Sequence, residues 1–253
     1  MTFSHVFLTR PQVQSEELAQ LLAPLGLEPV VQPAFEYVAQ DARSAQAEEF
    51  SALLAAGPDD LLLFTSPRAV THGSKQLPVE ALNRLRVCAI GPATAAALAQ
   101  AGIRVDIHPG HGYTSEDLLE TLSGMKPGAN AAASAFILAA PGGRKKLANG
   151  LSELGWQTRT IMVYRAEPAP LNKSELDKLA QADKLLSVWT SANVMKALSQ
   201  RLPPAAWFRV CQGEWLVISD RLERLARAFG PSAIHLAQGP GNTAIANTIR
   251  NIV

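Results

Sequence analysis

Only two cysteines occur in 253 residues, Cys88 and Cys211. Two thiols cannot build a disulfide framework. Both sit in apolar surroundings (Val87-Cys88-Ala89 and Val210-Cys211), as expected of small core residues in a reducing compartment. Charge of one sign is lacking too: 23 Lys and Arg stand against 22 Asp and Glu, a formal +1. That excludes the broad field by which a protein gathers nucleic acid or an anionic membrane surface. No apolar run is long enough to span a bilayer, and the longest, around Ala131 to Ala140, is alanine-rich and short. The opening Val6-Phe7-Leu8-Thr9-Arg10-Pro11 reads as a strand and turn, with no apolar leader or cleavage site ahead of it. A cytoplasmic protein is expected. Cofactor signatures are missing as well. No Walker motif and no G-x-G-x-x-G follows a strand, and Pro141-Gly142-Gly143-Arg144 lacks that fingerprint. G-x-S-x-G is absent. His108-Pro109-Gly110-His111 has no third ligand at a sensible spacing and reads as a pair of loop histidines. Trp156, Trp207 and Trp215 have no basic run between them and read as packing residues. No metal and no organic cofactor is expected.

What the chain does have is an internal repeat. Leu61-Leu62-Leu63-Phe64-Thr65-Ser66 is answered about 125 residues later by Leu186-Ser187-Val188-Trp189-Thr190-Ser191. In each, an apolar run ends in an aromatic, then Thr-Ser, then the first turn of a helix. Leu18, Leu22, Leu25 and Gly26 match Leu147, Leu151, Leu154 and Gly155, a helical stripe closed by a glycine. Ile90-Gly91 resembles Ile218-Ser219, and Thr114-Ser115 answers Asn242-Thr243 at the same spacing. These pairs imply two similar α/β halves, with function expected between them. At 47% hydrophobic residues the chain can fill two cores.

Strands and helices alternate. Apolar runs predict strands at residues 6–9, 28–33, 61–64, 87–90, 105–108, 136–139, 158–163, 185–189, 216–218 and 234–237. Helical periodicity predicts helices at 16–25, 67–74, 93–101, 116–122, 145–154, 194–200, 222–229 and 244–249. Short apolar strands separated by helices imply doubly wound parallel sheets covered on both faces. Two extended segments, Gln32–Ala39 and Met162–Pro168, fall at equivalent points of the repeat, and they can pair as a two-stranded hinge. On the residues alone the division is open: a tandem cut near residue 130, or a discontinuous one through these connectors.

Ligands of such sheets bind at the carboxyl ends of strands, where loops lead into helix N-termini. There lie Arg10, Thr65, Ser66, Arg68, Gly91, Thr94, Gly142, Arg144, Thr190, Ser191, Ser219, Asn242 and Thr243. Free backbone N–H groups beside a hydroxyl or glycine suit carboxylates or phosphates. The plainer account of Thr65, Ser66, Thr190, Ser191, Asn193 and Thr243 is helix N-capping. The recurrence of Arg10, Arg68, Arg144 and Arg221 at one topological place favours anion binding for the set.

The run Phe64-Thr65-Ser66-Pro67-Arg68-Ala69-Val70, together with Ala89-Ile90-Gly91-Pro92-Ala93-Thr94-Ala95, Val163-Tyr164 and Gly239-Pro240-Gly241-Asn242-Thr243-Ala244-Ile245-Ala246, resembles uroporphyrinogen-III synthases. The resemblance covers nearly the whole chain in order. It implies two α/β domains joined by a two-stranded β-ladder, one of them discontinuous: residues 1–35 with 167–253, and an inserted 36–166, with hinge strands near 33–39 and 162–168. It implies a cyclising lyase that closes hydroxymethylbilane, a linear tetrapyrrole with eight carboxylates, losing water and inverting the terminal ring. Departure of the substrate's hydroxyl leaves an azafulvene stabilised by its own pyrrole nitrogen, so the protein mainly controls conformation and protonation. Tyr164 matches the family's tyrosine and is the implied catalytic acid; a tyrosine phenol ionises at about pH 10 and stays protonated at neutrality. As an arbitrary tyrosine it could equally pack its ring at the hinge. Its repeat counterpart, Phe35, has no proton to give. A monomer is implied, without nucleic acid or membrane partners, with transient channelling from the preceding pathway enzyme. One departure is Ser219-Asp220-Arg221-Leu222, where the family often carries a second Gly-Pro-x-Thr. Two other readings compete: a non-catalytic two-domain protein binding a small anion, and a sugar-nucleotide transferase. The transferase would need a diphosphate-binding glycine loop and acidic residues for the sugar, and neither stands at the needed place.

Overall fold

The computed structural model describes residues 3–125, 127, 133–142 and 145–253. Its strands, in chain order, are β1 (His5–Leu8), β2 (Glu28–Val31), β3 (Phe35–Ala39), β4 (Leu61–Phe64), β5 (Arg86–Ala89), β6 (Ser134–Ala139), β7 (Gln157–Met162), β8 (Tyr164–Pro168), β9 (Leu185–Trp189), β10 (Glu214–Val217) and β11 (Ala233–Leu236). The chain divides into two compact units. Unit 1 is Met1–Glu36 with Glu167–Val253, and unit 2 is Tyr37–Ala166. β3 and β8 pair with each other as a two-stranded sheet. It is flanked by Gln40 N–H donating to the Val163 carbonyl (3.0 Å) and Ala169 N–H donating to that of Ala34 (3.1 Å).

Unit 1 carries a five-stranded sheet in the order β11-β10-β9-β1-β2, with every pair parallel. Numbered within the unit, that is 2-1-3-4-5, the doubly wound order whose crossovers reverse between β1 and β9. The strand sequences explain the burial. His5–Leu8 and Leu185–Trp189 are central and almost wholly buried, and alternate side chains feed two cores. Phe7, Trp189, Trp215 and Val217 go to one; Val6, Leu8, Val188 and Leu216 go to the other. Trp207 and Trp215 pack with Trp189 in the first, the rings of Trp189 and Trp215 lying 4.8 Å apart.

Unit 2 carries a four-stranded parallel sheet in the order β5-β4-β6-β7. Leu62, Phe64, Phe136 and Leu138 fill one face, and Leu61, Leu63, Ala135 and Ile137 the other. β6 and β7 take the places that β1 and β2 hold in unit 1, and β4 and β5 those of β9 and β10, as the repeat requires. The crossover reversal therefore falls between β4 and β6.

The strand expected at 105–108 is reduced to one bridge, Ile107 with Cys88. Asp106 is the reason: its carboxylate takes the Val87 N–H at 2.8 Å, replacing a ladder bond. Pro109 then follows with no N–H to offer. Helices at Ala42–Ala45, Ala47–Ala55, Val79–Leu82, Lys173–Gln181 and Pro204–Gln212 went unpredicted. Among the described residues, no helix is long and apolar enough to cross a membrane.

Candidate functional site

In unit 2 the reversal between β4 and β6 opens into a cleft of about 650 Å³. Its polar wall starts where β4 ends. Thr65 Oγ1 donates to the Leu138 carbonyl at 3.1 Å, closing the gap between the two strands. Ser66 caps helix Pro67–Gly73, its Oγ accepting from Ala69 N–H at 3.1 Å. The same oxygen lies 3.1 Å from the Tyr164 hydroxyl. Pro67 holds the first helical position, where its missing N–H costs nothing. From the β6 side come Pro141 and Gly142, whose left-handed φ of 75° suits glycine, and Lys145. Gly143 and Arg144 lie outside the described residues. Ile137, Leu147 and Met162 supply apolar lining.

Tyr164 is only 8% exposed. Its ring stacks on His72 (5.4 Å between centroids, 18° between planes) and meets Tyr37 edge-on at 6.0 Å. Arg68 lies with its guanidinium 3.9 Å over the Tyr37 ring, a cation–π contact. Burial, then the positive charges of Lys75 and Arg68, holds the His72 imidazole below its ordinary pKa. A neutral imidazole therefore backs the phenol. Neither His72 nor Tyr37 was picked out from the sequence. The available signal was spacing: His72 stands four residues after Arg68, on the same helical face.

At the end of β5, the lining comes from Ile90 and from Tyr113 rather than from Gly91 and Thr94. Thr94 is 2% exposed, buried in the first turn of helix Pro92–Gln100. Gly91 is that helix's N-cap, and a Cβ there would lie 2.9 Å from Tyr113 Cβ. Thr114 and Ser115 complete this side, with Thr114 capping helix Ser115–Leu122 in a capping box with Asp117.

The remaining candidates lie in unit 1, also at strand carboxyl ends. Thr9 Oγ1 donates to the Val188 carbonyl at 2.7 Å. Arg10 donates to the Pro240 carbonyl (2.8 Å) and to Asn242 Oδ1 (2.9 Å). Asn242 in turn donates to the Gln14 carbonyl and to Glu17, each at 3.1 Å. Arg10 and Asn242 thus tie the ends of two strands together. Thr190 and Ser191 follow β9, and Ser191 occupies the N-cap of Ala192–Arg201 without a side-chain cap bond. Thr243 is exposed in the first turn of Asn242–Ile252, whose N-cap is Gly241. Capping as the plain account of these hydroxyls therefore holds for Ser66 and not for Ser191 or Thr243. Ser219 caps Asp220–Arg227 through Leu222 N–H at 3.4 Å. Asp220 and Arg221 are exposed in its first turn.

The chemistry available is a buried phenol paired to a hydroxyl, with a lysine and helix N-termini beside it. The class is an α/β protein of two doubly wound parallel-sheet units, with a cleft at the strand ends of unit 2. A family model described as "Uroporphyrinogen-III synthase HemD" matches residues 16–247. The chain belongs to the uroporphyrinogen-III synthase family: it is a cyclising lyase of tetrapyrrole biosynthesis. It is 28% identical over 257 residues to the uroporphyrinogen-III synthase of Escherichia coli K12, covering 97% of this chain and 99% of that one. Its fold is that of the solved uroporphyrinogen-III synthetase from Helicobacter pylori 26695 (TM-score 0.62, 16% identity, 98% and 99% of the two chains). It is also that of a mutant uroporphyrinogen III synthase from the extremely thermophilic bacterium Thermus thermophilus (TM-score 0.58, 19% identity, 98% of each chain).

Proposed function

We propose that Tyr164 protonates, or hydrogen-bonds, the departing hydroxyl of hydroxymethylbilane. The single observation that carries this is the pairing of Tyr164 Oη with Ser66 Oγ at 3.1 Å, beside a cleft that both residues line. Loss of the hydroxyl needs a proton at the leaving oxygen, and the pyrrole nitrogen supplies the electron pair that expels it. Ser66 can pass a hydrogen bond between phenol and substrate, because a hydroxyl both donates and accepts. His72 behind the ring sets its plane. The azafulvene then closes at the substituted carbon of the terminal ring. The resulting spiro intermediate reopens and recloses with that ring inverted, the proton lost on rearomatisation restores the phenol, and water is the only other product.

Carboxylates of the substrate meet the strand ends. In unit 2, Ser115 and Lys145 are the donors placed for them, the first at a helix N-terminus. In unit 1, the N-termini following Ser191, Ser219 and Gly241 present backbone N–H groups of the same kind, with Thr190 and Thr243 alongside. The reading as a non-catalytic binder of a small anion is not favoured, since a bound anion needs no buried phenol. The protein works as a cytoplasmic monomer. Two free thiols suit a reducing compartment. Because hydroxymethylbilane closes by itself to the type I isomer, transfer from the enzyme that makes it is brief. Incubating the protein with enzymatically made hydroxymethylbilane and resolving the isomers tests the assignment. Type III product, unaffected by EDTA, is expected; type I alone would overturn it.

A further inference from the structure

We infer that Tyr113 is an aromatic platform on which one pyrrole ring of the substrate stacks, and that Gly91 is a glycine in order to seat it. Tyr113 is unusual in three independent ways. Among the described residues it is the one non-glycine residue with positive φ, at 60°. The left-handed region is costly for a bulky aromatic, and such strain collects where a side chain is held for use. The residue is 48% exposed, though burial would be the favourable fate of an aromatic with no other task. It also lines the 650 Å³ cleft that contains Ser66 and Tyr164.

Gly91 accounts for the placement. A Cβ at residue 91 would stand 2.9 Å from Tyr113 Cβ and 3.2 Å from its Cγ. Those atoms are the root of the side chain and cannot swing aside, so any larger residue would displace the whole segment. The segment is otherwise well anchored. Tyr113 N–H donates to the His111 carbonyl at 2.9 Å, and the next residue, Thr114, is locked in its capping box. An exposed ring on a backbone anchored at both neighbours presents a flat face at little entropic cost.

The neighbours select the ligand class. Ile90 and Leu147 give apolar lining, while Ser115 and Lys145 provide donors for anions. A flat, electron-rich heterocycle bearing carboxylate side arms matches that mixture. A pyrrole with its acidic substituents is such a group. This rests on the proposed function and adds to it the residue that fixes one ring while closure occurs.

The test is steady-state kinetics with isomer analysis on Tyr113→Phe, Tyr113→Gly and Gly91→Ala, alongside denaturant unfolding of each. Tyr113→Phe keeps the ring and should leave KM within about twofold. Tyr113→Gly should raise KM about tenfold, the scale of one aromatic contact, and shift product toward type I. It should also raise the unfolding midpoint, because the strained φ is relieved. Gly91→Ala should mimic the KM effect by displacing a ring it leaves chemically intact. A residue that merely packs would give the reverse for Tyr113→Gly: lower stability and unchanged KM. That outcome, in a protein that makes type III isomer, overturns the platform alone. A wild-type protein making only type I overturns the functional reading, and the platform with it.

Discussion

The two units share a strand order and differ in how they use its most valuable place. In both, a threonine hydroxyl bridges the gap at the crossover reversal. In unit 2 it is Thr65, after β4, reaching the carbonyl of Leu138 on β6. In unit 1 it is Thr9, after β1, reaching the carbonyl of Val188 on β9. The same gap is closed from opposite sides. This leaves different groups over: Arg10 in unit 1 is drawn into bonds with Pro240 and Asn242, whereas unit 2 puts Ser66 against Tyr164. Repetition of a fold therefore repeats the anchor points, while chemistry depends on which hydroxyl the anchor consumes.

The largest expected effect breaks the symmetry between Tyr164 and its repeat counterpart Phe35. Tyr164→Phe should slow turnover by about 10²-fold or more, the scale of a positioned acid, with KM little changed and product drifting to type I. Phe35 packs on the unit 1 core, so Phe35→Leu should leave kcat within about threefold. Equal losses would reduce Tyr164 to a packing residue.

A smaller effect separates the paired serines. Ser66 caps its helix and Ser191 does not. Ser66→Ala should lower stability by about 0.5–2 kcal/mol in denaturant titration, and Ser191→Ala by less than about 0.5 kcal/mol. Matching shifts in the two variants would remove the structural distinction drawn between these loops.

The smallest concerns the thiols. Burial pushes the Cys88 thiol in unit 2 up to about 12. Cys211 in unit 1 is also raised by burial, but it is partly exposed. With iodoacetamide at pH 8, read by peptide mass spectrometry, Cys211 should be modified at least about tenfold faster. Comparable rates would mean that the β4–β5 edge opens locally.

Much of this was legible in the residues. Leu61–Phe64 and Leu185–Trp189 are found at their predicted bounds because each is a short apolar run, buried on both sheet faces and closed by polar residues. Ser66 was readable as a cap from Thr-Ser-Pro, since Pro at the first helical position marks the start. The helix Lys173–Gln181 was not, because most of its residues face solvent and only Leu179 is fully buried.

By itself the sequence determined the parallel α/β class, the repeat and the family, because strand runs, helix stripes and cap motifs are local and survive as patterns. Only the tertiary structure decided which residues surround the phenol. His72 and Tyr37 come from two different segments to pack on its ring, Tyr113 comes from a third to line the same cleft, and Arg68 lies over the Tyr37 ring. Arg10, read as an anion ligand, is bonded to a carbonyl and an amide more than 200 residues further along the chain. Contacts of that kind depend on where the sheet brings strand ends together, and periodicity along the chain holds no record of it.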